Sequence, residues 1–303
     1  IEVLRSDVIH VQAGRNGVLS PAGDKAAPIV LPQPVVGTAA SLEEDAKEIR
    51  IRTDALVLHI QRQPLLLSLE RVHAGKSVAL WHEVQPLQLD STQSVQVLSS
   101  NANEQFFGGG QQNGRYAFKG RELPISYSGG WEEGDRPSPA PMLLSSSGWG
   151  MLRNTWSDGV YDLRDADTAT LAHKEDRFDV YYFVGNDLHA LLDRYTALTG
   201  RAGMLPRWGY SYGDADCYND GDNNKKPGTV PEGWSDGPTG TTPDVIDSVA
   251  KKYREYAMPG GWILPNDGYG CGYTDLPKVV QGLAKYGFRT GLWTENGVDK
   301  IAW

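Results

Sequence analysis

The chain has 303 residues, more than one ordinary core requires, so two domains are expected. Its 40% hydrophobic and 22% charged residues are a globular composition, and no apolar run reaches the roughly 20 residues of a membrane helix. The net charge of −9 leaves no basic excess to neutralise phosphates, which argues against nucleic acid or an anionic membrane as partner.

Residues 1 to about 185 show short alternating runs and no long helical periodicity. Examples are Ile1-Glu2-Val3-Leu4-Arg5, Ile49-Arg50-Ile51-Arg52, Leu56-Val57-Leu58-His59-Ile60 and Val95-Gln96-Val97-Leu98. Each is bounded by Gly, Pro, Asn, Asp or Ser, the pattern of a β-sandwich. Ala13 to Ala40 is rich in Gly, Pro and Ala and reads as a loop or arm. Asp179 to Gly185 reads as the last strand of this region.

Inside it lies Phe106-Phe107-Gly108-Gly109-Gly110-Gln111-Gln112-Asn113-Gly114-Arg115. Three consecutive glycines permit backbone conformations that other residues avoid. No Lys-Ser/Thr follows, so a phosphate cradle is disfavoured. Two readings remain, a structural hairpin and a loop carrying Gln112, Asn113 and Arg115 to a polar ligand. Trp131 to Pro139 is charged and Pro-rich, either a cleft rim or a solvated loop.

The pattern changes after Gly185. Leu188, Leu191, Leu192, Tyr195 and Leu198 have helical spacing, with Gly200 as a stop. Trp208 to Tyr212 then reads as a strand leading into the polar loop Gly213 to Gly240. Thr242-Pro243-Asp244 opens a helix to about Tyr256, with Val245, Ile246, Val249 and Tyr253 as its buried stripe. Trp262 to Leu264, between Pro-Gly-Gly and Asn-Asp-Gly, reads as a buried parallel strand. Asp275-Leu276-Pro277 opens a helix to about Tyr286, Arg289 to Glu295 reads as a strand, and Gly297 to Trp303 as the start of another helix.

This β-α-β-α-β order begins a parallel α/β structure. Its strand ends carry Asp214, Asp216 and Tyr218, then Asn266, Asp267 and Tyr269, then Trp293, Glu295 and Asn296. In a (β/α)8 barrel these would converge on one rim, where active sites sit. Convergence favours a site role for Asp267 over a bare turn residue in Asn-Asp-Gly.

Together these segments resemble glycoside hydrolase family 31. The residues that carry the resemblance are 106–115, Lys119-Gly120, Met258 to Gly270 and Gly291-Leu292-Trp293-Thr294-Glu295-Asn296. They look closest to its bacterial α-N-acetylgalactosaminidase-like subgroup. The resemblance implies an all-β, galactose-mutarotase-like β-sandwich over residues 1–186 and a linker helix over 187–206. Over 207–303 it implies the first three β/α units of a (β/α)8 TIM barrel, incomplete in this chain. It implies a retaining exo-acting α-glycosidase acting on terminal α-linked sugars such as an α-N-acetylgalactosaminide, α-galactoside or α-glucoside. Its nucleophile and acid/base are expected after Trp303.

By the same resemblance the carbohydrate is held by Asp267, Asn266, Tyr269, Trp293, Glu295, Asp214, Tyr218, Asn113 and Arg115. The partner expected is the rest of the barrel, from the same or a nicked polypeptide. No cofactor or metal is required. Other readings are a non-catalytic carbohydrate-binding protein, an α-transglycosylase, a sandwich that only stabilises a partner, and Asp267 with Glu295 as the catalytic pair. Asp214 to Asn224 is weighed as a calcium loop and disfavoured, because the acidic twelfth position is missing. Cys217 and Cys271 are read as a rim disulfide or two free thiols. Position 1 is Ile, consistent with a cleaved signal or a trimmed chain, and a secreted or extracytoplasmic bacterial location is the expectation.

Overall fold

The computed structural model describes residues 1–19, 29–32, 38–130, 132–215, 245–265, 275–292, 294–295 and 300–301. The chain divides into two compact units, Ile1–Ala202 and Gly203–Trp303. No helix among the described residues is long and apolar enough to cross a membrane.

The first unit is built from three antiparallel sheets. A six-stranded sheet runs in the order Glu2–Arg5, Val8–Ala13, Phe178–Val184, Trp149–Arg153, Ser138–Ser145, Phe106–Gln111. A five-stranded sheet runs Glu122–Ile125, Gly159–Asp162, Thr168–His173, Ser94–Ser99, Gln88–Leu89. A second five-stranded sheet, Ser41–Glu44 through Lys76–His82, is a meander in sequence order.

Alternation decides which face of each strand is buried. Ile9, Val11, Val180 and Tyr182 of the six-stranded sheet join Leu98 and Leu171 of one five-stranded sheet and Leu58 and Leu69 of the other in a single core. Trp81, Trp149 and Phe106 fill its centre, with Trp81 and Trp149 edge-on at 6.2 Å between centroids. The opposite face of the six-stranded sheet carries Val8, Tyr181, Phe183 and Leu152. Helix Leu188–Thr199 covers it with Leu191 and Leu198. Asp187 caps that helix, its carboxylate accepting from the Ala190 amide at 2.7 Å, and Gly200 closes it. The segment expected to be a linker is therefore packed onto the sandwich.

Charge is also buried here. Arg153 and Glu175, 2% and 3% exposed, pair at 2.7 Å, and the guanidinium lies 4.5 Å from the Phe178 ring centroid. Ser94 and the Arg177 carbonyl accept from Arg153, and Thr155 donates to Glu175. Shared hydrogen bonds are what make such a pair tolerable in a low-dielectric interior.

The second unit carries a parallel sheet, Gly213–Ala215, Trp262–Leu264, Arg289–Thr290. One face is closed by a helical segment, π-type over Ile246–Ala250 and α over Lys251–Glu255, and by helix Leu276–Lys285. Val245, Val249, Ile263, Val279, Leu283 and Phe288 form its core, with Ile246 and Tyr253 packed against them. A barrel is not evident from these three short strands.

The glycine run, open between a hairpin and a loop, is a strand over Phe106–Gln111 that pairs with Ser138–Ser145, and Gln112 to Arg115 follow it outside any strand. Three local expectations are corrected. Trp208 to Tyr212 is not a strand: Arg207–Tyr210 turns as a 3-10 helix entered from Pro206, and pairing begins only at Gly213. The third strand is interrupted, since Arg289–Thr290 joins the parallel sheet while Thr294–Glu295 pairs antiparallel with Lys300–Ile301. The helix expected from Gly297 is thereby replaced by strand at Lys300–Ile301.

Candidate functional site

In the first unit the glycine run shapes an edge. Gly108, Gly109 and Gly110 have φ of 119°, 74° and 75°, in the region that L side chains avoid. The register with Ser138–Ser145 shifts between Gly108 and Gly110. A Cβ on Gly110 would lie 2.3 Å from the Ser138 carbonyl oxygen, so close approach of two backbones demands glycine there. Pairing continues past this bulge to Gln111, and Gln112 to Arg115 follow outside any strand.

Hydrogen bonds then hold the segment beyond the bulge. Gln112 Nε2 donates to the Gly109 carbonyl at 2.9 Å, locking the bulge from outside. The Asn113 amide donates to the Asp135 carbonyl at 2.9 Å, and the Gly134 amide returns a bond to the Asn113 carbonyl at 3.0 Å. Arg136 Nε donates to the Ser126 carbonyl at 2.8 Å. These bonds tie the loop 132–136 to Asn113 beside an open cavity of ≈ 280 Å³. Asn113, Arg115, Glu122, Arg136 and Arg164 line it, with buried Phe118 among them.

Asn113 and Arg115 are thus brought together by the structure. Glu122, Arg136 and Arg164 were not named from sequence as site residues. Arg136 lies in the charged loop read as a possible rim. Glu122 and Arg164 sit on and just after strands that pair directly, Glu122 opposite Asp162, and only that pairing reveals them. Lys119, part of the motif, is otherwise engaged, donating to Ser100 Oγ and the Ala166 carbonyl at 2.8 Å each.

In the second unit Asp214 lies within the first parallel strand, opposite Ile263. Its carboxylate accepts the Tyr253 hydroxyl at 2.6 Å. That bond, with burial and the carboxylate charge, pushes the Tyr253 phenol up to about 12. Tyr253 stacks edge-on against Phe288 at 5.5 Å, and Arg254 covers the same ring at 4.1 Å. Asp214 therefore anchors a helix to its strand. The alternate face of the strand is close-packed as well: a Cβ on Gly213 would lie 1.8 Å from the Trp262 ring.

Glu295 is placed by its backbone in the short antiparallel pair with Lys300. Asn266, Asp267, Tyr269, Tyr218 and Trp293 lie outside the described residues, as do Cys217, Cys271 and most of the loop weighed as a calcium site. Among the described residues no group of three or more His, Cys, Asp or Glu side chains is arranged to hold a metal.

Comparison with known proteins supplies what these two regions leave open. Residues 1–162 match the model of the glycosyl hydrolase 31 N-terminal galactose mutarotase-like domain. The chain is 27% identical over 224 residues to an isomaltosyltransferase of Sporosarcina globispora, covering 64% of this chain and 20% of that protein. It is 25% identical over 173 residues to an α-xylosidase of Saccharolobus solfataricus, covering 52% and 21% respectively. It spans about a fifth of the length of these curated relatives. Among solved structures, a family-31 dextranase of Flavobacterium johnsoniae complexed with glucose superposes with a TM-score of 0.76 at 16% identity. That superposition covers 95% of this chain and 35% of the dextranase. The α-N-acetylgalactosaminidase-like subgroup draws no support from these relatives. The match over 1–162, more than half of the chain, carries the assignment: the chain belongs to glycosyl hydrolase family 31 and holds that family's N-terminal galactose mutarotase-like domain.

Proposed function

We propose that the chain is the N-terminal portion of a retaining, exo-acting α-glycosidase that cleaves terminal α-linked sugars. The family match over residues 1–162 carries this reading. It is supported by the order of the second unit, in which parallel strands at Gly213–Ala215, Trp262–Leu264 and Arg289–Thr290 alternate with helices. A (β/α)8 barrel begins in that order.

Retention requires two carboxylates about 5 Å apart, one attacking the anomeric carbon and one protonating the leaving oxygen. We assign both to sequence beyond Trp303. Asp267, with Asn266, Tyr269 and Trp293, is assigned to the hydroxyls and ring face of the terminal sugar. A carboxylate at a strand end accepts two hydroxyl bonds and an aromatic ring covers the C–H face. Asp214 serves as a positioning residue through Tyr253. A transglycosylase is the second reading, favoured by the match to an isomaltosyltransferase.

A panel of nitrophenyl α-glycosides run on the full-length protein tests the proposal. Gluco-, xylo-, galacto- and N-acetylgalactosaminides separate the sugar classes. NMR of the first product is expected to show the α-anomer. An added acceptor sugar that diverts product into a longer saccharide selects transfer over hydrolysis. Sugar binding without release from any member of the panel would replace the enzyme by a carbohydrate-binding protein.

A further inference from the structure

We propose that the cavity beside the glycine edge binds an anionic saccharide, gripping a carboxylate or sulfate ester on the sugar through Arg115 and Arg136. The argument begins with charge. Three guanidiniums line the cavity, and among the described residues one of them is well matched by carboxylates. Arg164 pairs with Asp162 at 2.6 Å and Glu122 at 2.8 Å. Arg115 has its nearest carboxylate, that of Glu133, at 3.9 Å, and the Glu133 side chain is 71% exposed. The Arg115 Nε is shielded from solvent and has no hydrogen-bond partner among the described residues. The Arg136 guanidinium donates to the backbone carbonyls of Ser126 and Gly134, and no carboxylate pairs with it among the described residues.

An unpartnered, shielded guanidinium N–H is unfavourable, and an anion that accepts it relieves the cost. Carboxylates and sulfates match the planar fork of donors that arginine offers. The saccharide part of the inference comes from the remaining wall. Half-buried Pro124 offers an apolar surface, and Asn113 carries an amide suited to hydroxyls. The volume of ≈ 280 Å³ suits one monosaccharide unit rather than a chain. The net charge of −9 opposes anions at long range, so recognition rests on the local pair and weakens as salt screens it.

The inference goes beyond glycoside cleavage, and its test reads binding without turnover. Calorimetric titrations of the full chain at low ionic strength would use methyl α-D-glucuronide, methyl α-D-glucoside 6-sulfate, neutral methyl α-D-glucoside and inorganic sulfate. At least one anionic glycoside is expected to bind about tenfold or more tightly than the neutral one. The two anionic arms decide between carboxylate and sulfate ester. Arg115→Gln, a half-exposed position whose side chain holds no backbone bond, is expected to abolish the preference. Arg50→Gln, paired with Glu48 on a different sheet, is expected to preserve it. Equal binding of the neutral glycoside, an affinity for inorganic sulfate matching that of the sugars, or a preference that survives Arg115→Gln in a folded variant would each overturn the inference.

Discussion

Gly75 and Gly110 share a φ of 75°, yet their surroundings are opposite. A Cβ on Gly75 meets nothing within 4 Å. One on Gly110 meets the Ser138 carbonyl oxygen at 2.3 Å and the Ala140 nitrogen at 2.6 Å. Alanine at either position incurs the left-handed strain of an L residue, about 1 to 2 kcal/mol. The stiffer unfolded chain returns roughly 0.4 to 1 kcal/mol of that. Gly75→Ala is therefore expected to destabilise by no more than about 1.5 kcal/mol. Gly110→Ala adds an overpacking cost of about 1 to 3 kcal/mol, because the clashing atoms are backbone and cannot swing aside. Both positions lie in the first unit, so urea unfolding of that unit reads both on one scale. With a slope of about 2 kcal/mol per molar, the two midpoints should separate by about 0.5 to 1.5 M. Coincident midpoints at unchanged slope would mean that the strand yields freely at Gly110, and that the bulge does not hold the loop edge as argued.

His173 is buried and neutral, its pKa driven down to about 3 chiefly by burial and then by the Arg153 charge. The unfolded chain takes up this proton near 6.5 and the folded chain does not, so stability is full above 6.5 and falls as pH drops toward 3. The loss is about 1.4 kcal/mol per pH unit at most, and His173→Gln should flatten the slope between pH 6 and 5, a region (on the order of these values) where exposed carboxylates are still ionised. In the second unit, Asp214→Asn should return the Tyr253 phenol from about 12 toward its ordinary range, seen as an added step in a difference ultraviolet titration. Tyr253→Phe should weaken that unit by about 1 to 2 kcal/mol, read as faster amide exchange in Trp262–Leu264.

The parts legible from sequence are those whose signal is local. Two-residue alternation located Leu56–Arg62 and Ser94–Ser99, and helical spacing located Leu188–Thr199, because burial of one face imprints its own period; the Asp275-Leu276-Pro277 start located Leu276–Lys285. The glycine run left a hairpin and a loop both open for the same reason. Its composition argues against a strand, while pairing with Ser138–Ser145, some thirty residues on, is what holds it extended. Asn113 and Arg115 stood out as polar residues bunched after glycine. Arg164 could not, since its place beside Glu122 depends on strands meeting from distant segments. Asp214 looked like a strand-end carboxylate because nothing within its own stretch announces a tyrosine 39 positions later.

The bulged glycine strand also lies outermost in its sheet, with no strand paired to its outer side among the described residues. A flat outer strand of that length is a template on which a second molecule can add its own strand, the first step toward fibrous or amorphous aggregates. Left-handed residues and a register break remove the even spacing of donors and acceptors that such templating needs. Straightening this border by substituting side chains for its glycines would therefore endanger solubility as well as shape, even in a variant that still folds.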